Sequence, residues 1–496
     1  MVIKDSVVYS LMIFLGISTL FGLIGALLTV FVGPGSVGSG IAELMAYLNG
    51  VNYPNFIGLE TLLVKIVGTC LAVSAGLCVG KEGPLAHIGA NIGQAALYLP
   101  FKYLKKFQNE IDKREIACAG AAAGVSAAFG SPIGGSLFVY EISRPSSFWS
   151  FDLTWKIFFC SSVSTFVLNI LVSLKYGESF HILNGGLVKF GSYNATPYQL
   201  SDFPFFAILG ICGGLLGSFF NFINYEVNVI RRIYLNSKSK KVCETVLITM
   251  LTAFLLFCAP LITRASCEKE NAIDLQHSEF IQYTCKEGRY NPLATLLLNP
   301  EGSTIKAFLN KDAIFDYNPL LLHFLIWYLL TIVTYGTAVP AGLFLPGILI
   351  GCSLGRMLTL FIQTNIGATV QIATYGTIGA AAVLGGYSRL SFSLAVIMLE
   401  TTENVNLFLP IIFTLGISFT VGRLFNRSLY ANALMFKSVP FLIETVPYYN
   451  EKLKAEAVMS RPVVSLSKKA SVLAISEVLR DTQHNGFPVI DTLHGD

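Results

Sequence analysis

The sequence predicts an all-α multi-pass membrane protein whose helices are broken at membrane depth, and three observations carry that prediction. The first is composition. Only 13% of the 496 residues are charged while 53% are hydrophobic, and the mean hydropathy is +0.62; a soluble domain is nearer a quarter charged. The second is the recurrence of uncharged stretches long enough to cross a bilayer: Val7–Val32, Ala117–Tyr140, Ile157–Leu174, Pro204–Asn224, Val246–Thr263, Pro319–Gly355 and Asn404–Gly422. The third is where glycine and proline interrupt such stretches. Pro319–Gly355 is cut by Gly336, Pro340, Gly342 and Pro346, and similar breaks fall in Gly33–Gly40 and Gly76–Gly93. A broken helix frees backbone N–H and C=O groups, which are tolerated at that depth only where they are buried in protein or line a polar cavity. Three such breaks in one chain predict a transport site rather than an anchor.

Val7–Val32 is too long for the apolar core of a signal peptide, and no small-residue cleavage site follows it, so it reads as a spanning helix. Basic residues cluster at Lys102–Lys106 with Lys113 and Arg114, and again at Arg231, Arg232, Lys238, Lys240 and Lys241. The positive-inside bias makes both loops cytoplasmic. The loop Arg264–Asp316 then faces outward or into a lumen, where Cys267 and Cys285 can pair. The sequon at Asn194 falls on the same side and is a candidate glycosylation site. The other eight cysteines lie singly in or beside apolar stretches and read as small hydrophobes. No metal-ligand spacing and no nucleophile–base pair stands out, which argues against an enzyme, and a net charge of +4 is too small to argue for nucleic acid. After Tyr430 the chain turns polar, and Pro462–Leu466, Ala470–Leu479 and Gly486–Ile490 read as strand, helix and strand.

Four places carry candidate chemistry. Gly38-Ser39-Gly40-Ile41-Ala42-Glu43 frees the backbone, offers the Ser39 hydroxyl and starts a helix at Ile41. Helix N-termini expose unpaired N–H groups and a partial positive charge, which attract an anion without holding it as a lysine would. Gly80-Lys81-Glu82-Gly83-Pro84 places Glu82 at a second helix start, because proline fits a first turn at no cost. An ionisable group in an apolar segment is expensive and marks function. Gly342-Leu343-Phe344-Leu345-Pro346 repeats the glycine–proline pattern in the other half of the chain, and Tyr430 supplies a neutral O–H donor. Alone, the Gly-Ser-Gly turn is more often a plain helix start and Tyr430 an interfacial anchor, while a capping role for Glu82 is the lesser alternative to a functional one.

Together these motifs resemble the signature of the CLC family of chloride channels and chloride/proton exchangers, over nearly the whole chain. The resemblance implies that Ser39 and Tyr430 give hydroxyls to a central anion, that backbone around Gly40, Ile41, Leu343 and Phe344 completes its shell, and that Glu82 is the gate. It also implies two inverted repeats, one pore per subunit and a homodimer in lipid, with no cofactor beyond the transported chloride. A weak echo fits the repeat: Ser131–Glu141 and Ser388–Glu400 both run from a Gly/Ser turn to a glutamate. Ala119–Val125, Ser147–Trp149, Leu153–Phe159 and His484–Val489 look closest to the lysosomal and endosomal branch, with some likeness to plant vacuolar members. An endomembrane is therefore expected, with the plasma membrane left open.

The chain departs from the family pattern at four points. Exchangers of that branch keep a second glutamate, the internal proton donor, after Glu141; here Ile142 stands there, which tilts the expectation toward a passive channel. Ala42 replaces the usual proline, which should loosen the first site without abolishing it. Ser39 is the choice of chloride-selective members, where nitrate-preferring ones carry proline. Finally, Val7–Val32 matches the family's third helix, and the tail after residue 436 resembles about half of a paired CBS module, to which nucleotide binding is not assigned. The sequence reading thus expects a transmembrane domain over 1–436 and a cytoplasmic tail over 437–496. It keeps the exchanger, and a truncated non-conducting subunit modulating complete members, as alternatives; an accessory subunit is not identifiable.

Overall fold

The computed structural model describes residues 7–490 apart from 54, 145–148, 177–197, 263–266, 270–279, 287, 311–314, 368–369, 440–449, 451, 458, 483 and 485. Asn194 and part of the Ser147–Trp149 motif lie outside the described residues. The chain divides into two compact units, Met1–Leu442 and Ile443–Asp496.

The first unit opens with α1 (Val7–Leu27), extended by a π turn through Val32, then α2 (Ile41–Leu48), α3 (Leu59–Ser74), α4 (Glu82–Ala96) and α5 (Glu110–Phe129). It continues through α6 (Pro132–Ile142), α7 (Phe151–Tyr176), α8 (Phe203–Tyr234) and α9 (Lys238–Ile262). A two-stranded ribbon, β1 (Glu268–Lys269) with β2 (Arg289–Tyr290), leads to α10 (Pro292–Leu298) and α11 (Glu301–Leu309). The disulfide Cys267–Cys285 is formed at this ribbon. Then follow α12 (Tyr317–Thr334), α13 (Phe344–Asn365), α14 (Ile372–Ser388), α15 (Phe392–Thr402), α16 (Phe408–Phe425) and α17 (Leu429–Phe436). Seven described helical segments are long and apolar enough to cross a membrane, so this is a multi-pass membrane protein.

The expectation that Ala117–Tyr140 forms one span is corrected. The chain ends α5 at Gly130, whose φ of +67° caps the helix in the left-handed region, and restarts at Pro132. Glycine enters that region without a Cβ penalty, and proline at a helix's first position forfeits no hydrogen bond. Pro319–Gly355 likewise resolves into α12 and α13, with the interruption over residues 335–343.

Two halves of the unit are built alike. In each, an interrupted segment feeds a long helix (α4, α13) that packs on the next (α5, α14), followed by a short helix (α6, α15). The α4–α5 contact is a glycine seam: a Cβ on Gly89 would lie 2.1 Å from the Gly120 carbonyl oxygen. Small residues let helix backbones approach where lipid supplies no hydrophobic drive. The short helices exchange caps. Glu141, late in α6, accepts from the Ser391 N–H and hydroxyl, both at 2.7 Å, and from Ser393 at the start of α15. Glu400, late in α15, accepts from the Gly134 N–H at 2.8 Å and from Ser131 at the start of α6. Each carboxylate meets the positive end of the other's helix. The sequence echo between these segments is therefore a physical pairing.

In the second unit, β3 (Leu466–Ser467) pairs in parallel with β4 (Val489–Ile490) across α18 (Val472–Asp481). This is the expected strand–helix–strand order with shorter strands.

Candidate functional site

The three interrupted segments meet. Gly80 and Gly342 exchange backbone hydrogen bonds of 2.7 and 2.8 Å, and Gly38 does the same with Val339 and Ala341 at 3.0 and 3.1 Å. These bonds satisfy the groups that the breaks release, so the irregular backbone survives inside the protein. Around this lacing three helices begin: α2 after Gly40, which has φ +82°, α4 at Glu82 and α13 at Phe344. A Cβ on Gly83 would touch the Ser39 Cβ at 2.9 Å and the Gly342 Cα at 3.5 Å. Ser39, the start of α4 and the start of α13 are thus in direct apposition.

Glu82 is 1% exposed, and neither carboxylate oxygen has a hydrogen-bond partner among the described residues. Its Oε2 occupies the space that a side chain at Gly80 would need, 2.4 Å from where that Cβ would sit, with the Leu345 amide nitrogen 3.2 Å from the same point. The carboxylate therefore lies against the first turn of α13. A buried acid at this point is held by the partial charges of the helix ends, the backbone N–H groups of Lys81 and Leu345 among them. Lys81 and Glu301, the first residue of α11, are within electrostatic reach of it.

Ser39 accepts from the Ile41 N–H at 3.3 Å, and its side chain lies beside the Tyr335 hydroxyl. Tyr430 is buried two residues into α17, a helix started by Ser428, whose hydroxyl accepts from the Ala431 N–H at 3.3 Å. It lies within electrostatic reach of Tyr335 and Tyr387. The Tyr387 hydroxyl donates 2.6 Å to the Leu343 carbonyl, steering that oxygen away while the Leu343 and Phe344 N–H groups stand at the helix start. The residues singled out from sequence, Ser39, Gly40, Ile41, Glu82, Leu343, Phe344 and Tyr430, converge on one locus. Ile142 is 1% exposed and packed in the same apolar cluster as Ile41, Leu343, Phe344 and Tyr430, to which it adds no titratable group. Ala42 packs with Ala46 and Leu434, and α2 still starts at Ile41, so the missing proline leaves that start intact.

Sequence reasoning missed three contributors. Tyr335 sits beside Gly336 in an interruption that was noted only for its backbone. Tyr387 lies in an apolar helix with nothing to flag it. Lys65 is 1% exposed within α3, and its ammonium donates to the Ser36 and Gly38 carbonyls at 2.9 and 2.7 Å. It ties down the loop that presents Ser39. A lone lysine in an apolar segment is a readable signal.

The family profile described as "Voltage gated chloride channel" matches residues 20–423. The chain is 38% identical over 504 aligned residues to the Homo sapiens protein named "H(+)/Cl(-) exchange transporter 7", covering 98% of this chain and 62% of that one. It is 34% identical to "Chloride channel protein A" of Dictyostelium discoideum, covering 97% and 60%. The chain thus spans about three-fifths of these relatives' length. Among solved structures, a eukaryotic CLC transporter superposes with a TM-score of 0.69 at 22% identity, covering 99% of this chain and 78% of that one. A slow cyanobacterial Cl−/H+ antiporter superposes at 0.66 and 20% identity, covering 86% and 87%. The profile match alone spans most of the chain, and the superpositions give it the same fold. The chain belongs to the CLC family of voltage-gated chloride channels and transporters.

Proposed function

We propose that this chain is the transport unit of a chloride/proton exchanger, with Glu82 as the group for which anion and proton compete. The observation that carries the reading is the buried, unpaired Glu82 carboxylate lying against an anion-attracting helix start. An ionised carboxylate there occupies an anion's place. Protonation cancels its charge and lets the anion enter, so proton and chloride occupancy are linked at one position. Ser39, Tyr430 and the N–H groups at the starts of α2 and α13 form the anion's shell in this reading. The human relative is named an H(+)/Cl(-) exchange transporter and the cyanobacterial neighbour a Cl−/H+ antiporter, which favours exchange over the passive channel expected from Ile142.

The test is flux from proteoliposomes holding the full-length protein, with chloride and pH followed together. An outward chloride gradient should draw protons in against their own gradient, and chloride flux without proton movement would overturn the exchanger reading. The second reading, a passive channel, keeps one specific observation in its favour: Ile142 offers no titratable group in the core. The tail's nucleotide binding stays unassigned. Homodimeric assembly and residence in an intracellular membrane belong to this reading, and light scattering of the detergent-solubilised protein and co-localisation with lysosomal markers check them.

A structural prediction follows for Gly80. Gly80→Ala puts a methyl group 2.4 Å from the present position of the Glu82 Oε2. Such an approach is far inside van der Waals contact, so the carboxylate must leave its place. Chloride flux at neutral and alkaline pH should rise, and its pH dependence should flatten. Unchanged flux and pH profile would mean that the carboxylate does not rest over Gly80.

A further inference from the structure

From the Ser39–Tyr335 pair a cavity of about 310 Å3 opens toward the basic face formed by Arg231, Arg232 and Lys241. It is lined by Ser39 and Tyr335, by the amides of Asn221, Asn224 and Asn228, and by Glu43 with Lys437. Among the described residues lining it, Glu43 is the only carboxylate. It stands in the first turn of α2, is 7% exposed, and forms an ion pair with the Lys437 ammonium at the end of α17. The pair therefore bridges the two helices that carry Ser39 and Tyr430.

An exchanger needs an inner group that takes protons, and the neighbouring acids are committed elsewhere. Glu141 spends both oxygens capping α15. Glu244 lines an adjoining cavity that does not include Ser39, and it pairs there with Arg231 at 2.5 Å. Ile142 has nothing to protonate. We propose that Glu43 is the proton-accepting residue on the inner side of the transport site, with Lys437 as its counter-ion. This rests on the exchanger reading. A proton from cytoplasmic water bonds to a Glu43 carboxylate oxygen, and the hydronium that gave it becomes water. The same O–H bond then breaks toward water in the cavity, which Ser39 and Tyr335 line. Only the proton moves, and Lys437 stays an ammonium throughout. The groups facing Glu43 are Lys437, the Tyr53 ring under the Lys437 ammonium at 5.9 Å, and Lys241 and Tyr225 in the same cavity.

The experiment measures chloride and proton flux together in proteoliposomes for wild type, Glu43→Gln, Glu43→Asp and Lys437→Met. Glu43→Gln should keep most chloride flux and lose proton flux by at least about tenfold, the scale of a missing proton-transfer group. Glu43→Asp should restore proton flux. Lys437→Met should keep it, because the acceptor remains although the ion pair is broken. Equal losses in Glu43→Gln and Lys437→Met would show a purely structural latch and overturn the inference. A wild-type proton-to-chloride ratio retained in Glu43→Gln would also overturn it, while leaving exchange standing. A wild type that moves no protons removes the exchanger reading and this inference with it.

Discussion

Glu82→Ala should pass chloride at every pH while moving no protons and losing all pH dependence. The wild-type carboxylate is buried with no side-chain partner among the described residues, so it responds to a proton or an anion by changing charge or by moving. As pH falls, protonation removes the charge that occupies the anion's place, and chloride flux should rise. As pH increases, the ionised form blocks, and flux should fall. Alanine carries neither charge nor proton, so the chloride path stays open and the proton path is cut. The expected drop in the proton-to-chloride ratio is at least about a hundredfold, since coupling runs through one group. Glu82→Gln, which keeps the shape of the protonated acid, should behave like Glu82→Ala in its pH profile. Either variant retaining wild-type pH dependence would remove Glu82 from the role of gate.

Much of this site was legible because its parts are local. A glycine that frees backbone, a proline that starts a helix and a charged residue in an apolar run are all read from a few consecutive residues, as at Gly80–Pro84 and Gly342–Pro346. Glu82, Ser39 and Tyr430 each sit inside such a motif. What was not legible is whatever depends on chain segments far apart. Glu43 belongs to a quoted motif, yet its pairing with Lys437 joins positions almost four hundred residues apart. Lys65 and Tyr335 act through carbonyls and hydroxyls that only the folded loops bring to them. The false span Ala117–Tyr140 arose because an uncharged run outweighed Gly130 and Pro132, the two residues that end one helix and begin the next. Composition says where lipid is; turn chemistry says where the helix stops, and here the second decides.

The exchanged caps of α6 and α15 set the second large effect, this time on stability. Glu400→Ala strips two N–H groups and the Ser131 hydroxyl of their partner at the start of α6. Glu141→Ala does the same to two N–H groups and two hydroxyls at the start of α15. A donor abandoned away from water costs about 1–3 kcal/mol, the exposed Ile133 N–H costing least, and the helix end also loses the charge that complements its dipole. Either substitution should therefore lower the apparent melting temperature of the detergent-solubilised protein by several degrees at a fixed scan rate, with Glu141→Ala the larger. Glutamine at either position still accepts hydrogen bonds but carries no charge, so it should recover part of the loss. The two carboxylates cap different helices, so if the caps act independently the double variant should lose the sum of the single losses. If they hold one interface that opens as a unit, the second removal should cost much less than the first. Wild-type melting in both single variants would mean that the reciprocal caps do not hold α6 against α15.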